Sequence, residues 1–159
     1  MEKKQNMSIY LLERTQVLPV SLEKAWEFFS SPFNLKEITP TDMKFEVTSE
    51  SAREKMYPGM IITYKVRPVL SIPVTWVTEI TQVREPFYFV DEQRFGPYEM
   101  WHHQHFFKET DKGVEMRDVV HYKVPLGFLG DVANSVFVRA RLEEIFDFRY
   151  KKLEELFGR

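Results

Sequence analysis

Residues 114–124 alternate between apolar and polar side chains, and one residue breaks the rule. Val114, Met116, Val120, Tyr122 and Val124 share one parity, while Glu115, Arg117, His121 and Lys123 dominate the other. A period of two belongs to a half-buried β-strand with its apolar side inward. Asp118 sits on that apolar parity. A carboxylate turned into a core is costly unless a partner or water answers it. The preceding run, Trp101-His102-His103-Gln104-His105-Phe106-Phe107, offers histidines.

The connection between the two runs decides which histidines face Asp118. Thr110-Asp111-Lys112-Gly113 is turn material. A loop of two or four residues sets Phe107 opposite Met116, His105 opposite Asp118, His103 opposite Val120 and Trp101 opposite Tyr122. A loop of three or five would present His102 and Gln104 instead and would bury the parity of Lys108, so the first register is preferred. One strand upstream, Phe87–Phe95 carries Phe87, Phe89, Asp91, Gln93 and Phe95 on one parity. Three loop residues at Gly96-Pro97-Tyr98 would set Asp91 opposite His103 and Gln93 opposite Trp101. Two Asp–His pairs, 91 with 103 and 118 with 105, are then expected on one concave face. They read either as the polar floor of a ligand cavity, able to move a proton, or as core hydrogen bonds that fix strand register.

The rest of the chain supplies the frame. Residues 8–18 read as a first strand ending at Pro19; Ser21 caps a short helix with Leu22, Ala25, Trp26 and Phe29 on one stripe. Phe33 to Ile38 make a second short helix or turn before Pro40. Then follow strands Lys44–Ser49, Met60–Leu70, Val74–Val83, Phe87–Phe95, Tyr98–Glu109 and Val114–Val124, separated by turn signals such as Tyr57-Pro58-Gly59 and Arg84-Glu85-Pro86. Such short connections imply antiparallel hairpins. A helix capped at Asp131 and running to Phe157 would be roughly 40 Å long, enough to cross a whole sheet. Its projected apolar face holds Val132, Val136, Leu142, Phe146, Tyr150, Leu153 and Phe157, with Arg139 and Glu143 inside it as an i,i+4 pair. This order has a direct solution. An α+β fold results, in which a curved antiparallel sheet of about seven strands wraps around the long C-terminal helix, with two short helices after the first strand. Such a grip leaves a cavity at its wide end.

Composition narrows the function classes. At 159 residues one domain spanning 1–159 is expected, with 1–7 as a flexible N-terminus that does not read as a signal peptide. A net charge of −2 gives no electrostatic case for nucleic acid. Without cysteine, thiol nucleophiles are excluded and a reducing, cytoplasmic setting is expected. No apolar run reaches membrane-spanning length. Six glycines do not make a glycine-rich phosphate cradle, and no serine sits in a strained elbow. Fourteen phenylalanines suit an apolar pocket or a core of large residues.

The chain resembles the START-like helix-grip superfamily, often called SRPBCC, and within it a bacterial cyclase/dehydrase-like ligand-binding subgroup. The residues that carry the resemblance are Pro86-Phe87, Phe89-Val90-Asp91-Glu92-Gln93, Gly96-Pro97-Tyr98, Trp101 with His103, His105 and Phe107, Met116-Arg117-Asp118, Tyr122 with Pro125-Leu126-Gly127, and Phe137-Val138-Arg139 to Ile145-Phe146. It spans essentially the whole chain. The resemblance implies a ligand cavity between sheet and helix; because the superfamily includes transporters, sensors, chaperone activators and cyclases, it implies no one reaction.

The site expected on these grounds binds a small, largely apolar ligand, lipid-, aromatic- or polyketide-like, through Tyr64, Trp76, Phe89, Asp91, Gln93, Trp101, His103, His105, Asp118, Tyr122 and Arg139. An enzyme of cyclase or dehydratase type is the alternative, with His103 or His105 as general acid/base and Asp118 beside them. An interaction or inhibitor module comes third, because the outward parities are mostly charged. Arg139 could hold a carboxylate or phosphate, or seal the helix to the sheet through Glu143 or Asp118. His103 and His105 with Asp91 or Asp118 could make three metal ligands. No fourth is evident, and neither metal nor cofactor is expected. Leu70, Ile72, Leu126, Phe128 and Leu129 are apolar loop residues, read as a pocket gate, a membrane-touching lip or packing under the helix start.

Overall fold

Strand β1 (Tyr10–Leu18) leads into helix α1 (Leu22–Phe29), which starts where Ser21 Oγ accepts the Lys24 amide at 3.2 Å. That bond satisfies one of the orphan donors of the first turn. The helix buries Leu22, Ala25 and Trp26, and the Trp26 ring meets Phe89 and Phe107 edge-on. The structure, a computed structural model, describes residues 8–68 and 70–158; the expected flexible segment 1–7 and the side chain of Phe128 lie outside that description. Where a second short helix was expected, a 3-10 turn forms at Asn34–Lys36, followed by others at Thr41–Met43 and Glu50–Arg53. Of the expected strand 44–49, Glu46–Val47 forms β2. Lys44 takes a left-handed conformation that turns the chain out of the ladder before it.

The remaining strands are β3 (Met60–Val66), β4 (Val74–Arg84), β5 (Tyr88–Phe95), β6 (Met100–Thr110) and β7 (Gly113–Lys123). They make one antiparallel sheet in the order β1-β7-β6-β5-β4-β3-β2. β3 ends at Val66 rather than Leu70, because Leu70 and Ser71 are left-handed turn residues. Two register shifts between β4 and β5, at Val77/Thr78 and Ile80/Gln82, add local twist where the sheet must curl.

The C-terminal segment departs most from expectation. It opens with α2 (Phe128–Ala133) and passes through a π-helical turn at Asn134–Val138. It continues as α3 (Arg139–Phe157). Asp131 is therefore inside the helix, where its carboxylate accepts from the hydroxyls of Ser8 and Tyr10 and ties α2 to β1. The wider π turn absorbs extra chain and rotates the phase of everything before it. Val132 and Val136 end up exposed, and so does Tyr150, while Asn134, Val138, Leu142, Phe146, Arg149 and Leu153 are buried. Asn134 accepts the hydroxyl of Tyr122 at 2.8 Å. No helix among the described residues is long and apolar enough to cross a membrane.

Candidate functional site

The strand registers bring the polar residues together. Across β6 and β7, Phe107 faces Met116, His105 faces Asp118, His103 faces Val120 and Trp101 faces Tyr122; the turn is the two-residue case. Across β5 and β6, Asp91 faces His103, whereas Gln93 leaves the ladder. Its amide holds the hairpin turn instead, donating to the Tyr98 carbonyl at 2.7 Å and accepting the Tyr98 N–H at 3.1 Å.

The side chains pair diagonally to this register. His103 Nε2 donates to Asp118 Oδ1 at 2.8 Å, and His105 Nε2 donates to Asp91 Oδ2 at 2.6 Å. The ring nitrogens are the donors because a carboxylate can only accept. The expected pairs, 91 with 103 and 118 with 105, are thus exchanged. The reason is stacking: the two imidazoles lie 3.7 Å apart and 30° from parallel, so each leans along its strand toward the next carboxylate. The ring of Phe89 covers His105 at 4.0 Å, and Phe146 lies against His103. The straight-across distances are longer, 3.6 Å from His103 Nδ1 to Asp91 and 3.3 Å from His105 Nδ1 to Asp118. His105 Nδ1 makes no hydrogen bond.

A buried arginine completes the cluster. Arg149, 6% exposed, reaches from α3 and sets Nη2 3.2 Å from Asp118 Oδ1, with the rings of Phe29 and Phe146 against its guanidinium. The projected apolar face holds its neighbour Tyr150 and not position 149, so the sequence reading does not include it. The usable signal was Asp118 itself, a lone carboxylate on the apolar parity that calls for a cation. Arg139 does not do this. It lies outside on α3, bonded to Glu143 at 3.1 Å.

Electrostatics follow from these contacts. Burial alone would raise the carboxyl of Asp118, but Arg149 and the two histidines hold it well below its ordinary value. Asp91 is lowered likewise, its burial outweighed by His103 and His105. Burial also opposes charge on both imidazoles. At His105 the flanking carboxylates of Asp118 and Asp91 win and raise the pKa; at His103 burial and repulsion from His105 win and lower it. The cluster therefore pairs Arg149 with Asp118 and sets the two imidazoles apart, His105 leaning toward its charged form and His103 toward its neutral form.

A cavity of about 190 Å³ lies between this cluster, the sheet and α3. At roughly 10–15 Å³ per water-sized group, it has room for about 13–19 of them. Of the expected residues, Tyr64, Trp76, Phe89, Asp91, Trp101, His103 and His105 line it. Asp118 sits behind the histidines, Tyr122 is packed beneath Trp101 and bonded to Asn134, and Gln93 and Arg139 do not reach it. Arg149, Tyr98, Thr78 and the segment 28–45 supply wall that the sequence did not point to.

Asp91, His103 and His105 bring three potential ligand atoms within 4.8 Å of one another. Each Nε2 already donates to a carboxylate, so an ion taking those atoms would have to displace the hydrogen bonds.

Comparison with protein-family models and with curated proteins finds no match. Solved structures do match. Protein CV1439 from Chromobacterium violaceum superposes with a TM-score of 0.71 at 12% identity, over 94% of this chain and 98% of that one. The major latex-like protein 151 from Panax ginseng gives 0.67 at 11% identity over 94% and 97%. Protein Ms6760 from Mycobacterium smegmatis gives 0.66 at 19% identity over 92% and 89%. At these identities the likeness shows the fold, a helix grip, and the chemistry rests on the site.

Proposed function

We propose that this chain, as a single ligand-binding domain, takes up a small, largely apolar molecule in the cavity between the concave sheet and α3. The observation that carries the reading is a cavity of about 190 Å³ with aromatic walls and one polar corner. Pockets of this make-up, mostly apolar with a few convergent polar groups, are those that bind small molecules. Kinship with the bacterial cyclase/dehydrase-like subgroup and a cytoplasmic setting belong to the same proposal, the second supported by a chain without cysteine.

An environment-sensitive apolar dye tests it. The folded protein is expected to bind the dye, and Trp76→Leu, which removes a wall ring while keeping an apolar side chain, to weaken binding about tenfold, equivalent to ~1.4 kcal/mol. A folded wild type that leaves the dye free removes the pocket reading, and the polar cluster becomes a structural network.

A second reading, a cyclase or dehydratase, is favoured by one observation. Two imidazoles of opposite pKa shift lie side by side on the cavity wall, the arrangement that separates an acid from a base. Product analysis after incubation with hydroxylated aromatic polyketides decides it; unchanged substrate leaves the binder.

A further inference from the structure

The polar atoms left open in the cavity define what its occupant must offer. All contacts of the Asp91 carboxylate run through Oδ2, to His105 and His103. Oδ1 has no partner among the described residues and is not sealed off. On the neighbouring strands, the hydroxyls of Tyr64 and Thr78 also line the cavity without a hydrogen-bond partner among the described residues. Thr78 and Ile80 share a face of β4, and Ile80 is the register partner of Asp91, so Thr78 Oγ1 lies one pleat from the carboxylate. The corner thus presents a charged acceptor flanked by hydroxyls that can donate or accept.

Charge balance restricts the occupant further. Asp118 is answered by Arg149, and Asp91 already accepts a hydrogen bond from His105 through Oδ2. A carboxylate-bearing ligand would meet the Asp91 carboxylate at its open oxygen, and an ammonium would share the corner with the Arg149 guanidinium. A neutral group that donates one hydrogen bond fits without either. The walls are flat rings, with Trp76 and Trp101 meeting edge-to-face at 5.3 Å, and the cavity of about 190 Å³ has room for a two-ring molecule.

We infer that the cavity takes a neutral aromatic alcohol of two-ring size, whose hydroxyl donates to Asp91 Oδ1 and whose ring body packs against Trp76, Trp101 and Phe89. This rests on the ligand-binding reading above and names the class of ligand. Affinities of the purified wild type at neutral pH for 2-naphthol, 2-methoxynaphthalene, naphthalene, 2-naphthoate and 2-naphthylmethylammonium, read by dye displacement, test it. The alcohol should bind about tenfold tighter than its methyl ether, since a hydrogen bond to an ionised acceptor is among the stronger ones, and tighter than either ion. In Asp91→Asn the advantage over the ether should shrink. An ether as tight as the alcohol overturns the proposal, because no donor is then recognised. A tighter naphthoate overturns it in favour of an anion site at Arg149. If the dye binds and none of the five displaces it, the ligand class is wrong and the pocket stands; if the dye itself fails to bind, the pocket falls first.

Discussion

Two arginines of α3 show how differently one residue type can act in one helix. Arg139 is half exposed and bonded to Glu143 one turn on, in water. Arg149 is buried against two phenyl rings and holds Asp118 across the gap to β7. The first pair forms within the helix and says little about tertiary structure. The second joins helix to sheet and sets the charge of the cavity corner. Desolvation makes the difference: a surface pair gains little because water serves each ion nearly as well, whereas a buried pair cannot lose one member without stranding the other.

The sharpest way to break this contrast is Arg149→Met, which keeps the apolar stem and removes the charge. It leaves Asp118 with the histidines as its remaining partners, and the expected loss is about 3–5 kcal/mol in urea unfolding. Adding Asp118→Asn to that variant should recover much of the loss, because no buried charge is then stranded. A single variant as stable as wild type would show that the helix is not held to the sheet through this pair.

Acid unfolding tests the same pair more gently. Asp118 has a folded pKa well below the ordinary 3.8, so the stability it contributes is full above that value and is lost as pH falls from there through the folded value. The histidines act at higher pH and against each other. His105, raised, stabilises below 6.5 and loses this as pH rises through its folded value; His103, lowered, costs stability as pH falls below 6.5. Below 3.8 the wild type should therefore lose stability with pH more steeply than Asp118→Asn, by up to ~1.4 kcal/mol per pH unit. Parallel curves would mean that Asp118 is not ionised against Arg149.

The contrast also explains what was legible in the sequence. Period-two patterning and a turn of known chemistry gave the register of β6 and β7 and placed Asp118, His103 and His105 on one face, because a strand offers two faces and the apolar residues choose between them. The helix was harder. A stripe on a cylinder can rotate by half a residue and still look apolar, and the π turn at 134–138 leaves no clear mark in composition. Hence the sequence reading turns Val132 and Val136 inward ahead of the π turn, sets Arg139 inside the face, and, one residue off along the stripe, takes Tyr150 in place of Arg149. The exchange of the two Asp–His pairs was also beyond reach, since register fixes which Cα atoms face each other and not how stacked rings lean. The wall built by residues 28–45, largely turns, carries no periodic signal to read.

The smallest effect is expected at Arg139. Arg139→Ala removes a bond to Glu143 in which both side chains are close to half exposed, at 51% and 43%. An i,i+4 pair of this kind contributes about 0.3–0.5 kcal/mol, and alanine returns part of that through its higher helix propensity. Urea unfolding should place the variant within roughly 0.5 kcal/mol of wild type. Dye affinity should not move, because the side chain does not reach the cavity. A marked loss of dye binding in this variant, with its fold intact, would return Arg139 to the ligand site and require the helix to sit rotated from its position in the structure, with Arg149 turned away from Asp118.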